Sequence, residues 1–353
     1  MDSVTQLTLG AAVGEAVLGR KAGTKAPLWG AFFGTLPDLD VLANPFLTEV
    51  QALGFHRSIT HSLLFMVLVA PLAGAALQRL HDDASWKSWA ALVFAALSTH
   101  VLLDCFTAYG TQVFYPFSRY PVIFGTIFVI DPVYTLLLGG GLVMAMVRRS
   151  TAPARRWWNA AGLALSTGYL LLTIVHKAHV ESVFARALSA QGKPSTQVFT
   201  RPTPFNNLLW MGLVEGRTGY WVGYYSLWDA GPPTRFRFVP KRHHLLKQEW
   251  DAPAVQRLRW FSRGYFAVSQ RDGRTLVHDL RFGRNDVGLT AHGRYIFTFR
   301  LRYNDARRVT GFHQLSPPLS LSAPLLRAFA ARIVGRKPPY PFLPSTGNAP
   351  GGS

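Results

Sequence analysis

The chain has 353 residues, of which 49% are hydrophobic and only 16% charged, against an ordinary charged share of about 25%. Residues 1–176 carry 11 Lys+Arg against 9 Asp+Glu and residues 177–353 carry 26 against 9, so almost all of the net charge of +19 lies in the second half. A single cysteine, Cys105, excludes an intrachain disulfide and a cysteine-built zinc cluster. This step from apolar to basic predicts an α-helical membrane domain at 1–176, a mainly antiparallel β domain outside the membrane at 177–335, and a disordered tail at 336–353.

Six apolar segments are candidates for the roughly 20 residues that cross a bilayer: 4–19, 27–43, 62–80, 89–108, 123–147 and 157–176. The start, Met1-Asp2-Ser3, lacks the basic region of a signal peptide, so the apolar segments themselves are expected to direct the chain to the membrane. The first two segments are the weakest. One contains Glu15, the other ends in Leu36-Pro37-Asp38-Leu39-Asp40, and both read equally as short spans or as a re-entrant pair buried by the others. Their small residues, Gly10, Ala11, Ala12, Gly14, Gly30, Ala31 and Gly34, allow close helix contact.

Between the second and third segments stands Phe55-His56-Arg57-Ser58-Ile59-Thr60-His61-Ser62. His56 and His61 are five apart, which places one in a loop and one on the first turn of the next helix, with Ser58 or Thr60 as its cap. In the fourth segment His100 and Asp104 are spaced i, i+4, on one helical face. Asp38 and Asp40 point the same way if the chain there is extended, and two carboxylates so close call for a cation or a shared proton. Asp131-Pro132 opens a turn inside the fifth segment, and His176 and His179 read as interfacial anchors.

Loop charge sets the orientation. The odd loops hold nine basic residues, from Arg20, Lys21 and Lys25 to Arg155 and Arg156, and the even loops hold two, Arg57 and Arg119. The odd loops should therefore face the cytoplasm, which puts the second half on the outer face, the periplasm of a diderm cell. By the same count Asp38, Asp40, His56, His61, His100 and Asp104 all fall near the outer side. These six are the expected ligands of one or two divalent ions, zinc first, with manganese, iron or magnesium as alternatives. Asp38, Asp40 and Asp104 are the catalytic candidates, since a carboxylate left off the metal can act as general base. Arg57 and Arg119 are expected to hold an anionic substrate group, with Gln6, Thr60 and Asp131 as supports behind the ligands.

After about residue 177 the pattern becomes short aromatic and β-branched runs: Gln197–Arg201, Leu208–Val214, Tyr220–Leu227, Arg235–Val239, Tyr265–Gln270, Thr275–Leu280 and Tyr295–Tyr303. A short amphipathic helix is expected near Ala323–Val334, and His243-His244 in solvent. No nucleic-acid motif is present, and a domain outside the cytoplasm is expected to spend its charge on anionic lipid headgroups or an anionic envelope polymer.

Taken in order, the Thr5-Gln6-Leu7-Thr8-Leu9-Gly10 start, Gly34-Thr35-Leu36-Pro37-Asp38-Leu39-Asp40, His56-Arg57-Ser58-Ile59-Thr60-His61-Ser62 and His100-Val101-Leu102-Leu103-Asp104 followed by Gly110 resemble the YdjM-type membrane-bound metal-dependent hydrolases of the bacterial inner membrane. The resemblance covers about the first 150 residues. Pro202–Asn207 and Gly219–Leu227 look like the C-terminal extension of a longer subgroup. The resemblance implies metal-dependent hydrolysis at the membrane. One departure stands out: many relatives have a histidine where this chain has Gln6, a poor metal ligand. The reading is thus a membrane metallohydrolase acting at the outer face on a lipid or lipid-linked ester or phosphoester. The alternative is a non-enzymatic envelope or transport factor whose metal or polar cluster ties helices together.

Overall fold

A computed structural model describes residues 1–192, 197–233, 235–290, 293–317 and 322–336. The expected disordered tail, from 337 onward, lies outside the described residues. The chain forms two compact units, Met1–Ala178 with Pro204–Asn207, and His179–Thr203 with the residues from Leu208 onward.

The first unit is helical. Helix α1 (Ser3–Ala22) starts where the Asp2 carboxylate accepts the Thr5 N–H at 3.0 Å, and stops at Gly23 with φ +57°, a conformation that suits glycine. The turn reverses the chain into α2 (Lys25–Thr35). The two helices approach through their small residues. A methyl group on Gly10 would stand 2.8 Å from Gly34 Cα, and one on Gly14 would stand 3.0 Å from Gly30 Cα. This is the close small-residue contact expected of Gly10, Gly14, Gly30 and Gly34, and it lets the backbones pack by dispersion where apolar burial gives no drive.

The predicted span 27–43 does not run as one helix. It breaks at Thr35, and Leu36–Phe46 continues in 3-10 turns carrying Pro37 and Pro45, because proline withholds a donor and disfavours helix in the residue before it. A seven-residue helix follows, α3 (Glu49–Phe55), with a reciprocal Thr48–Gln51 capping box. It is too short for an apolar period to announce. Helix α4 (Leu63–Leu80) is capped by Ser62, whose Oγ accepts the Phe65 N–H at 3.1 Å; Ser58 and Thr60, the expected caps, are turned elsewhere. Ser85 caps α5 (Trp86–Cys105). Trp89, Leu92, Val93, Ala96 and Leu97 on α5 are wholly buried against Met66, Ala70 and Leu77 of α4.

The fifth predicted span also shortens. Helix α6 (Pro132–Met146) begins only after Asp131, whose carboxylate accepts the Val133 and Tyr134 N–H groups. Helix α7 (Pro153–Ser189) overruns the sixth. Among the described residues three helices, α4, α5 and α7, are long and apolar enough to cross a membrane, with α6 a shorter apolar helix. Among the described residues six crossings are not what the structure bears out, because the proline-bearing stretches at 36–46 and 121–131 leave the helical path.

The second unit holds two antiparallel four-stranded meanders. The first is β1 (Val198–Pro202), β2 (Leu209–Glu215), β3 (Gly219–Ser226) and β4 (Arg237–Pro240). After α8 (Pro253–Phe261) comes the second: β5 (Phe266–Arg271), β6 (Arg274–Arg284), β7 (Tyr295–Tyr303) and β8 (Val309–Leu315). Leu213, Tyr220, Val239, Ala267 and Leu280 form a core shared by both sheets. In β7 Phe299 and Leu301 are buried and Arg302 is exposed, with Thr298 buried beside Phe299. Helix α9 (Ala323–Ile333) matches the expected amphipathic helix, whereas β8 and α8 carried no strong signal. His243 is not solvated as expected; it stacks on Phe266 with ring centroids 4.1 Å apart and bonds the Phe266 carbonyl. Part of the positive charge lies inside: Arg281 and Asp279 form a wholly buried pair at 2.7 Å, and Arg201 donates to the carbonyl of Arg281.

Candidate metal centre

Four of the six expected ligands meet. Asp38 comes from the 3-10 run after α2, His61 from the turn before α4, and His100 and Asp104 from one face of α5. His61 Nε2 lies 3.2 Å from His100 Nε2, 3.4 Å from Asp38 Oδ1 and 3.4 Å from Asp104 Oδ2. His100 Nε2 lies 3.7 Å from Asp38 Oδ1 and 3.6 Å from Asp104 Oδ2. A tetrahedral ion with bonds of 2.0–2.2 Å needs ligand–ligand separations of about 3.3–3.6 Å. These five separations, 3.2–3.7 Å, come close to that size, and all four ligand atoms lie within 4.8 Å of one another.

The hydrogen bonds aim the lone pairs inward. His100 Nδ1 faces the carbonyl of Gly34 at 2.6 Å. A carbonyl only accepts, so Nδ1 carries the proton and Nε2 presents its lone pair to the centre. Asp104 divides its two oxygens. Oδ1 accepts from Arg57 Nη2 at 3.0 Å, from Gln6 Nε2 at 3.0 Å and from the Met1 amino group. Oδ2 is buried and has no hydrogen-bond partner. A buried carboxylate oxygen without a donor is costly, and here it points among two histidine nitrogens and a second carboxylate. The donor set and this orphaned oxygen fit a divalent ion.

Asp40 and His56 stand beside this group rather than in it. His56 Nδ1 and Asp40 Oδ1 are 2.8 Å apart, and Asp40 Oδ2 accepts from the Arg57 N–H at 2.9 Å and from Thr60 Oγ1 at 3.3 Å. Burial raises the Asp40 carboxyl, yet the hydrogen bond and charge of His56 hold its pKa below the ordinary value. Arg57 adopts φ +59°, a left-handed conformation costing about 1–3 kcal/mol outside glycine. That turn delivers its N–H to Asp40 and its guanidinium to Asp104 and to Thr107 Oγ1 at 3.1 Å.

The remaining candidates divide. Thr60 bonds both Asp40 and His61 Nδ1. Gln6 is wholly buried behind Asp104 and also donates to the His100 carbonyl at 3.2 Å. Asp131 caps α6 and accepts from Tyr169 OH at 3.0 Å. Arg119 is exposed. The Met1 amine was not foreseen, because nothing in residue spacing ties the chain start to a helix a hundred positions on.

Comparison with known proteins places the matched region over this site. The profile of the YdjM inner membrane protein family matches residues 1–180. Among curated proteins, the uncharacterized protein YfhP of Bacillus subtilis (strain 168) is 30% identical over 139 residues, a match covering 37% of this chain and 42% of that protein. The chain thus spans less than half the length of that relative. No solved structure matches.

Proposed function

We infer that this chain, which belongs to the YdjM inner membrane protein family, is a membrane-embedded metal-dependent hydrolase acting on a lipid or lipid-linked ester or phosphoester. The observation that carries the reading is the four-atom cage of Asp38, His61, His100 and Asp104: the histidine nitrogens stand 3.2–3.7 Å from each other and from the carboxylate oxygens, and all four ligand atoms lie within 4.8 Å of one another, as one divalent ion needs. Zinc is the first candidate by size and donor set, with manganese, iron and magnesium behind it. When bound, such an ion supplies a Lewis acid that polarises a substrate oxygen and lowers the pKa of water toward neutrality.

The chain's own residues divide the remaining work. Three ligands are enclosed, with side-chain exposure of 0%, while Asp38 is 17% exposed. Three fixed ligands and one at the rim are what a site needs if one position is to open to substrate. Beside that rim Asp40 holds His56 with Nδ1 protonated, which leaves Nε2 as a lone pair on a side chain 24% exposed. His56 is placed to take a proton from attacking water, and Asp40 to steady the imidazolium so formed. Arg57, turned inward, neutralises Asp104. The basic second unit is assigned to anionic headgroups, and not to nucleic acid.

The test is metal content by mass spectrometry of the purified full-length protein, beside His61→Ala and Asp104→Asn, followed by turnover of a panel of lipid esters and phosphoesters. Stoichiometric metal lost in both variants, with turnover that falls in His56→Gln while metal is retained, is the expected result. A metal-free wild type after zinc and manganese supplementation would sink the reading. The burial of the cage favours one alternative, a structural ion that ties the 3-10 run to α5. Stoichiometric metal with no turnover across the panel, and unfolding on chelation, would decide for it.

A further inference from the structure

At the opposite end of α1 from the metal cage lies a groove of about 690 Å³ between α1 and α7, lined by Glu15, Arg20, Lys21, Arg156, Trp157 and Asn159 among others. The stretch from Gln6 to Arg20 rises about 21 Å along the helix, so groove and cage are well separated. The floor is built. Arg155 reaches across from α7 and clamps Glu15 through both carboxylate oxygens at 2.7 Å, both side chains being buried. This leaves Glu15 unable to neutralise the rim.

The rim is cationic. Arg20, Lys21 and Arg156 are exposed, and none forms an ion pair among the described residues. Lys21 also borders Asp82 and Asp83 in a neighbouring cavity, so Arg20 and Arg156 carry most of the uncompensated charge. Trp157, 76% exposed, stands at the same rim, as tryptophan does at headgroup depth. A second, independent feature points to a ligand. Asn159 is only 2% exposed, and its Nδ2 donates to the Ala12 carbonyl at 2.8 Å, which settles the amide orientation. Its Oδ1 is then a buried acceptor with no partner on a residue that lines the groove.

We propose that this groove binds one anionic phospholipid whose phosphate meets Arg20 and Arg156 and whose headgroup hydroxyl donates to Asn159 Oδ1. Basic pockets between membrane helices hold such headgroups. A hydroxyl is the fitting donor, since an ammonium headgroup would sit against three cations. The class is therefore phosphatidylglycerol and not phosphatidylethanolamine. The proposal rests on the membrane placement of the helices and not on hydrolysis.

The test titrates full-length protein in neutral detergent with phosphatidylglycerol, phosphatidylethanolamine or phosphatidic acid, and counts bound lipid by native mass spectrometry. Arg20→Gln with Arg156→Gln, both exposed, is compared with Arg79→Gln with Arg149→Gln, which removes the same charge away from the groove. One phosphatidylglycerol is expected to bind in preference to the other two lipids. The groove variant should bind it about 30-fold more weakly, from about 1 kcal/mol per basic residue, and the control variant as the wild type does. Equal binding of phosphatidylethanolamine, or an equal loss in the control variant, would overturn the site. Phosphatidic acid binding as tightly as phosphatidylglycerol would overturn the hydroxyl assignment to Asn159.

Discussion

Gly10→Ala adds a single methyl group outside the proposed ligand set, and it should weaken metal binding. The added carbon would lie 2.2 Å from the Gly30 carbonyl oxygen and 2.8 Å from Gly34 Cα. Carbon atoms in ordinary contact stand about 3.5–4.0 Å apart, so α1 and α2 must part by about 0.7–1.2 Å. Overpacking of this kind costs about 1–3 kcal/mol. The displacement falls on the residue whose carbonyl orients His100, at 2.6 Å from Nδ1. Moved by the same amount, that bond stretches to about 3.3–3.8 Å, where it is weak or lost. Loss of the partner that fixes a ligating histidine typically lowers metal affinity about 10- to 100-fold. Zinc affinity, read by competition with a chromogenic chelator on the solubilised full chain, should fall by that factor. The melting temperature of the metal-free protein should fall with it. Gly140→Ala is the control, since nothing lies within 4 Å of its added methyl; it should leave zinc binding unchanged and should not lower the melting temperature. A Gly10→Ala protein that melts lower yet binds zinc as the wild type does would refute the idea that the helix hairpin holds His100 in place.

Three further outcomes follow from individual contacts. Glu15→Ala leaves Arg155, 2% exposed, without its carboxylate, and should cost about 3–5 kcal/mol in denaturant unfolding; Glu15→Leu with Arg155→Leu should recover most of it, and no recovery would mean that the pair does more than neutralise itself. Asp131→Ala removes the acceptor for two N–H groups of α6 and for Tyr169. It should lower protection against hydrogen exchange in the first turn of α6 by about 1–2 kcal/mol, and unchanged protection there would dismiss Asp131 as its anchor. In the second unit, burial pulls the pKa of His278 from 6.5 to about 4. A histidine with a lowered folded pKa stays neutral while the unfolded chain takes up a proton, so its stabilisation is whole above pH 6.5 and drains away as pH falls toward 4. The loss is at most about 3 kcal/mol. Hydrogen exchange of β6 between pH 7 and 4.5 should show it, and His278→Gln should flatten that slope.

Much of the architecture could be read from residue order because it depends on local chemistry. Apolar runs such as Leu63–Leu80 have few stable states besides a buried or membrane-spanning helix, and the alternation in Tyr295–Tyr303 requires a half-buried strand. Elements with no long period were lost: α3 has seven residues and is held by one capping box, and β8 has seven residues that interleave polar and apolar types without strict alternation. The count of spans went too high because hydropathy over 27–43 and 123–147 does not register that a proline and a carboxylate end the helical path inside them. Those same departures give the candidate metal cage Asp38, set in the 3-10 turns, and give α6 its cap, Asp131.

For the site, the sequence by itself determined the inventory. Ionisable side chains inside an apolar half of the chain are too costly to be idle, and His100 and Asp104 share a face because a helix repeats every 3.6 residues. Which residues meet is a different kind of fact. Asp38, His61, His100 and Asp104 converge, while Asp40 and His56 pair beside them, and residue type cannot separate the two sets. Only the close approach of α1 and α2 brings the Gly34 carbonyl to His100. Only the left-handed turn at Arg57 sends one residue to Asp40 and Asp104 at once. Local periodicity decides what each segment becomes; the direction in which a ring nitrogen or a carboxylate oxygen points is decided by what the folded helices press against it.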